Sequence, residues 1–278
     1  RPALASSPWG RRTAQISPRS RSIACCATRS STVAAGTSLT CWCANVAAHA
    51  SISSSTVPGT TLNPSRSAAL SVLDGTDIVA EMVWQPSNHH TRELVPAIAD
   101  LLARCRLQAR DLRALGVALG PGSFTSLRIG VTVAKGLAMA LKIPVVGFHS
   151  LDILATGQPV LDIPLWSVLH AGRGLLAFSP YENQGSTWIR QADSIVISAK
   201  DLEGQVKGPV YVCGEMTSQE RQILGRKYKT VRVAAPFDCL RRPAILASMA
   251  LSRLSGNQAS EIGTLSPIYL HTSTPIPG

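Results

Sequence analysis

Between residues 115 and 147 the chain spells a unit with little freedom in how it folds. Leu115-Gly-Val-Ala-Leu119 is an unbroken apolar run of strand length, and Gly120-Pro-Gly-Ser-Phe-Thr125 is a breaker-rich loop. An apolar stretch of helical length follows to about Leu141, and Pro144-Val-Val-Gly147 is a second short apolar run. A strand that is apolar on both faces belongs inside a sheet covered by helices. Two such strands joined by a helix run parallel with a right-handed crossover.

The flanking sequence extends the alternation. Residues 68–72 and 78–84 are apolar runs on either side of an Asp74-Gly75 turn signal and read as a hairpin. Leu94, Ile98, Leu101, Leu102 and Cys105 recur at spacings of three and four, with Thr91 as N-cap and Glu93 in the first turn of that helix. Downstream, 165–169 and 175–178 flank Ala171-Gly-Arg-Gly174 as a second hairpin, and 195–197, 210–213 and 230–233 are short strands. Residues 243–254 form a helix opened by Pro243 and closed by Gly256. The class is α/β with a mixed sheet in each half, and no repeat of 20–50 residues is present.

Charge divides the chain unevenly. Residues 1–66 hold seven of the 27 Lys and Arg and no carboxylate, which leaves 20 cations against 16 acids in the remainder. The formal charge of +11 therefore overstates how basic the body is, and net charge alone does not make it a nucleic-acid binder. The leader is rich in Ser, Thr and Ala, shows no sustained periodicity, and no Met stands before Met82. It reads as a disordered or artefactual leader, a translation artefact (an over-called start or an upstream frame shift) being preferred over a transit peptide, and is set aside from the fold. Cys41-Trp-Cys43 lacks the spacing of a zinc knuckle, and the scattered Cys105, Cys213 and Cys239 fit a reducing compartment. The most apolar long window, 131–148, contains Lys135, Lys142 and Pro144, so no membrane span is expected.

The glycine loop carries the chemistry. Gly120 and Gly122 let another backbone or a ligand approach closely, and Ser123 or Thr125 can cap the helix that follows. Free N–H groups at a helix start also suit an anion, so a phosphate site and a plain tight turn stand level on loop chemistry. The loop is neither a Walker motif nor a dinucleotide fingerprint. Within the helix, Gly130, Ala134 and Ala138 form a small-residue stripe, with Phe124, Leu127 and Val131 nearby, on which another helix can pack. The six histidines form no His-x-x-x-His pair, which argues against a metallopeptidase.

Gly120-Pro-Gly-Ser-Phe-Thr-Ser-Leu-Arg-Ile-Gly130, Val133-Ala-Lys-Gly-Leu-Ala138 and Ile143-Pro-Val-Val-Gly147 together closely resemble the TsaB (YeaZ) family. Ala69-Leu-Ser-Val-Leu-Asp-Gly75, Asn88-His-His-Thr-Arg-Glu-Leu-Val-Pro96, Val212-Cys-Gly-Glu215 and Leu265-Ser-Pro-Ile-Tyr-Leu270 agree in order. The resemblance covers about 67–271. It implies an actin/Hsp70/sugar-kinase-like fold of two ribonuclease-H-like lobes with mixed sheets, the second reduced. The lobes are expected at 67–150 and at 151–278, the latter with a C-terminal helix. The family's first strand carries an Ile-Asp-Thr-like run, whereas Thr60-Thr-Leu-Asn-Pro-Ser-Arg66 has no Asp, so that strand is expected to be missing. Ser126 and His170-Ala-Gly-Arg173 also depart from the family pattern.

By resemblance the chain is a cytoplasmic, non-catalytic subunit of the machinery that makes threonylcarbamoyladenosine (t6A) in tRNA. It would bind the catalytic subunit TsaD, or a second copy of itself, through 91–105 and 123–141. A TsaE-like ATPase completes the assembly, tRNA is met through the complex, and ATP and Mg²⁺ belong to the complex with no cofactor assigned to this chain. The expected interface residues are Leu94, Ile98, Leu101, Phe124, Leu127, Gly130, Ala134 and Ala138, and the loop residues are Gly120, Pro121, Gly122, Ser123, Phe124, Thr125 and Arg128. The alternative is a nucleotide-binding ATPase or kinase that uses the Gly120–Thr125 loop on phosphate.

Overall fold

The computed structural model describes residues 40–46, 68–85, 90–227 and 229–270. The first sheet is built from β1 (Thr40–Val46), β2 (Ala68–Asp74), β3 (Asp77–Trp84), β4 (Ala114–Gly120) and β5 (Val145–His149), in the order β3-β2-β1-β4-β5. β1, β2 and β3 form an antiparallel meander, and β4 and β5 add in parallel on the other side of β1. The second sheet contains β6 (Leu165–Gly172), β7 (Leu175–Gln184), β8 (Thr187–Arg190), β10 (Val210–Gly214) and β11 (Val231–Val233), in the order β11-β10-β6-β7-β8. β9 (Ile195–Ser198) pairs with β7 in line with β8. The same order thus occurs twice, a ribonuclease-H-like lobe in each half.

The expected gap at the first strand is corrected here. Thr40–Val46, inside the segment set aside as leader, pairs with all seven residues of β2 and runs parallel to β4. A sheet centre demands a strand, because the facing edges of β2 and β4 would otherwise leave their ladder groups unpaired. Thr-Cys-Trp-Cys-Ala-Asn-Val has no charge and no proline, so nothing in it opposes pairing. Residues 60–66, which correspond in order to the family's first strand, lie outside the described residues.

Helices α1 (His90–Arg104) and α2 (Phe124–Leu141) cover one face of the first sheet. Leu94, Ile98, Leu101 and Leu102 of α1 and Val131, Ala134 and Ala138 of α2 bury against Leu70, Val72, Leu115 and Val117. α1 begins one residue before Thr91, which is therefore inside the helix and not its cap. At 18 residues and a mean hydropathy of 1.3, α2 is long and apolar enough to cross a membrane, yet one face of it packs on the sheet.

The remaining helices trade places. α3 (Ser150–Thr156) follows β5 but packs Leu151, Leu154 and Ala155 against Leu165, Leu169 and Tyr181 of the second sheet. α6 (Pro243–Ser255) follows the second sheet but packs on the first, where Ala244, Leu246, Ala247 and Ala250 meet Leu73, Ala118, Val146 and Phe148. Its small residues let the helix approach the strands closely. The expectation that the C-terminal helix belongs with the second lobe is amended accordingly: β5 alternates Val145 to one face and Val146 and Phe148 to the other, so the sheet needs cover on both. α4 (Ala199–Gly204) and α5 (Ser218–Gly225) cover the far face of the second sheet through Leu202 and Leu224.

Candidate functional site

The glycine loop leaves β4 at Gly120, whose φ is +117° and whose bond to Pro121 is cis. A Cβ at Gly120 would lie 2.7 Å from the carbonyl oxygen of Ile268. The Ile268 N–H donates to the Leu119 carbonyl at 2.7 Å. The close approach that glycine permits is therefore filled by the chain's own C-terminal strap, residues 265–270. Leu265 of that strap is buried in the first core. Gly122 needs no such freedom of space, since a Cβ there makes only ordinary contact with Leu127 at 3.7 Å.

Around the helix start, the expected caps do not form. Ser123 stands at the N-cap with an extended backbone, but its side chain makes no capping bond and accepts instead from the Ser126 hydroxyl at 3.3 Å. Thr125 is exposed. Phe124 packs its ring 4.8 Å from that of Tyr269. The Arg128 guanidinium lies 3.9 Å over the Phe124 ring, and its Nε donates to the Tyr269 hydroxyl at 2.9 Å. Phe124, Arg128 and Tyr269 thus tie loop, helix and strap together. Sequence reasoning assigned Tyr269 no role, although the closing Leu265-Ser-Pro-Ile-Tyr-Leu270 was among the matched pieces.

The small-residue stripe faces inward. Of the eight expected interface residues, Leu94, Ile98, Leu101, Leu127, Gly130, Ala134 and Ala138 are buried within this chain, and Phe124 alone is exposed. The stripe lies on the sheet because small side chains let α2 settle onto β1 and β4. The outward faces of α1 and α2, which pack side by side, carry other residues. Val95, Ala99 and Ala103 are exposed on α1, and Thr132, Gly136, Met139 and Ala140 on α2. Val95 is 53% and Met139 66% exposed.

Between loop and second lobe lies a cavity of about 380 Å³, lined by Pro121, Phe124, His170, Val196 and Tyr269 among others. The His170 Nδ1 accepts from the Gly172 N–H at 3.1 Å, within a turn where Gly172, Arg173 and Gly174 all have positive φ. Among the described residues no carboxylate lines this cavity, so a Mg²⁺-phosphate would lack its usual oxygen ligand there. The nucleotide-binding alternative gains no support from the cleft.

One hydroxyl–imidazole pair does form. The His149 Nδ1 accepts from the Leu151 N–H at 3.3 Å, so its proton resides on Nε2, which donates to Ser194 Oγ at 3.0 Å. Ser194 and Ser179 share a further bond of 2.8 Å. A base must offer the serine a lone pair. His149 offers a proton instead. Asp152 does not orient the imidazole; it accepts from the Tyr181 hydroxyl at 2.7 Å and pairs with Arg190 at 3.5 Å.

Two ribonuclease-H-like lobes with exchanged helices α3 and α6 give the chain an actin/Hsp70/sugar-kinase-like fold. Residues 79–235 match the family model of TsaD, tRNA N6-adenosine threonylcarbamoyltransferase. The tRNA threonylcarbamoyladenosine biosynthesis protein TsaB of Bacillus subtilis is 32% identical over 200 residues, 69% of this chain and 84% of that protein. TsaB of Buchnera aphidicola is 26% identical over 121 residues, 42% of this chain and 55% of that protein. The structure of YeaZ from Pseudomonas aeruginosa superposes with a TM-score of 0.63 at 19% identity, covering 84% of this chain and 100% of that one. The chain belongs to the TsaB (YeaZ) family.

Proposed function

We propose that this chain is a non-catalytic subunit in the formation of threonylcarbamoyladenosine in tRNA, and that it docks on a TsaD-like catalytic subunit through the outward faces of α1 and α2. The name of the Bacillus relative supports the pathway. The observation that carries the docking surface is the pair of neighbouring helices that expose Val95, Ala99, Gly136 and Met139 to solvent. Burying a side chain the size of Met139 contributes about 1.5–3 kcal/mol, and flanking small residues let a partner helix approach closely. A non-catalytic role agrees with a histidine that holds its proton on the wrong nitrogen to activate Ser194. A TsaE-like ATPase, with ATP and Mg²⁺, completes the cytoplasmic complex. Without the catalytic subunit, the same face pairs with a second copy.

Two substitutions on one helix test this. A Cβ at Gly136 meets nothing within 4 Å, so Gly136→Arg leaves the fold intact and abolishes co-purification with the TsaD-like subunit. Ala134 is fully buried, so Ala134→Arg unfolds the first lobe, visible by circular dichroism. A folded Gly136→Arg variant that still co-purifies in full yield removes the assignment.

A further inference from the structure

We propose that Arg104, Arg106, Arg110 and Arg113, with Lys142, form a surface that contacts the phosphate backbone of the tRNA substrate directly. The proposal rests on the reading of the chain as a subunit of a tRNA-modifying complex. The connection from α1 to β4 reads Arg104-Cys-Arg-Leu-Gln-Ala-Arg-Asp-Leu-Arg113, four cations and one acid in ten residues. With Lys142, its net charge of +4 equals the whole excess of cations over acids in residues 67–278.

Topology gathers these groups at one end of the first lobe. Arg104 ends α1, and Arg113 immediately precedes β4. The Leu115 N–H donates to the Pro144 carbonyl, which brings the end of α2 and its cap Lys142 alongside Arg113. All five side chains are exposed. Among the described residues none of these five side chains has a hydrogen bond, ion pair or ring contact, so all five charges face solvent. The acid of the segment, Asp111, accepts from the Gln108 N–H at 2.7 Å, and Asp100 lies one helical turn before Arg104. Asp74 and Asp77 sit at the β2–β3 turn, two strands away on the far side of that end, so the end is polarised.

The segment is a firm platform and not a loose loop. Leu112 is 1% exposed and Leu107 packs on the first core. The N–H groups of Arg106 and Leu107 bond back to Ala103 and Leu102 at 3.0 and 2.9 Å. A cation at a helix C-terminus is favoured by the dipole alone, which accounts for Arg104 and Lys142. It does not account for Arg106, Arg110 and Arg113, which lie outside both helices. Forked donors held on a rigid surface suit phosphate oxygens, and the binding would be independent of base sequence.

The test uses the full chain, alone and with its catalytic partner, and an unmodified tRNA transcript titrated across a range of salt. Arg106→Glu, Arg110→Glu and Arg113→Glu combined should weaken tRNA binding about tenfold or more and lower the log Kd against log salt slope by about 2. Co-purification with the TsaD-like subunit should be unchanged, and the matching Arg→Lys triple variant should keep binding. A Glu triple variant that binds tRNA within about twofold of wild type with the same slope overturns the proposal, as does a wild-type complex without tRNA affinity. Loss of co-purification by wild type would instead sink the subunit reading, while the slope on the chain alone still decides this one.

Discussion

The proton on the His149 Nε2 links a local hydrogen-bond pattern to the stability of the chain. Burial of the imidazole lowers its pKa from 6.5 to about 4, outweighing the nearby Asp152 carboxylate, which pulls upward. The folded state therefore holds the neutral form, while the unfolded chain takes up a proton below 6.5. Stability from this group is fully present above the unfolded value and is lost as pH falls from 6.5 towards 4. The loss between pH 7 and pH 5 comes to about 2 kcal/mol. We expect urea titrations to show that much steeper acid sensitivity in wild type than in His149→Gln, whose amide does not titrate. Equal slopes for the two proteins would remove His149 as the cause. At the same scale, Gly214, the last residue of β10, takes φ of +135°, and a Cβ there would overlap the Val168 carbonyl oxygen, so the close approach of β10 to β6 at that end requires glycine.

The strap at 265–270 and the loop it closes act as one element. Gly120→Ala in the full chain should destabilise by about 2–4 kcal/mol, through contact with the Ile268 carbonyl and a φ that alanine resists. In a chain ending before Leu265, which is itself less stable, the same substitution should cost less, because only the backbone strain remains. The difference, read from thermal unfolding of the four proteins, measures the coupling. Elements of this size were unevenly legible in the sequence. The two hairpins, α1, α2, β4, β5 and α6 announce themselves through apolar periodicity, turn glycines and Pro243, and the structure places them within a residue or two, except that β6 and β7 run on to Gly172 and Gln184. β8, α3, α4 and α5 have four to eight residues, too few for a period to emerge. The stripe of Gly130, Ala134 and Ala138 was visible, but its direction was not. Periodicity groups residues on a face without saying what the face meets, and α2 is apolar enough on its outer side to leave both answers open. The loop was legible as a place of close approach, and only tertiary structure shows that the visitor is Ile268.

For the whole molecule, the exchange of α3 and α6 means that neither sheet is covered by helices from its own half alone. Glu81 on β3 reinforces this, accepting from the Ala244 N–H at the start of α6 at 3.2 Å and pairing with Arg242. We expect the full chain to unfold in one cooperative step, and a chain that stops before Pro243 to lose the tertiary signals of the first lobe as well as the second. A first lobe that melts normally in that truncated chain would show the exchange to be ornamental. Which helix covers which sheet was illegible: α6 lies about a hundred residues or more beyond the strands it covers, and the seven residues of α3 are too few for a pattern to say which sheet they meet. β1 was illegible for a related reason: its place at the sheet centre follows from the edges of β2 and β4, not from its own composition. The exchange also sets a timetable for synthesis. A ribosome finishes β5 about a hundred residues before it completes α6, roughly 5–20 s at ordinary elongation rates. Throughout that interval an oily sheet face is without its lid, and the nascent chain is a natural client for whatever chaperone waits at the exit tunnel.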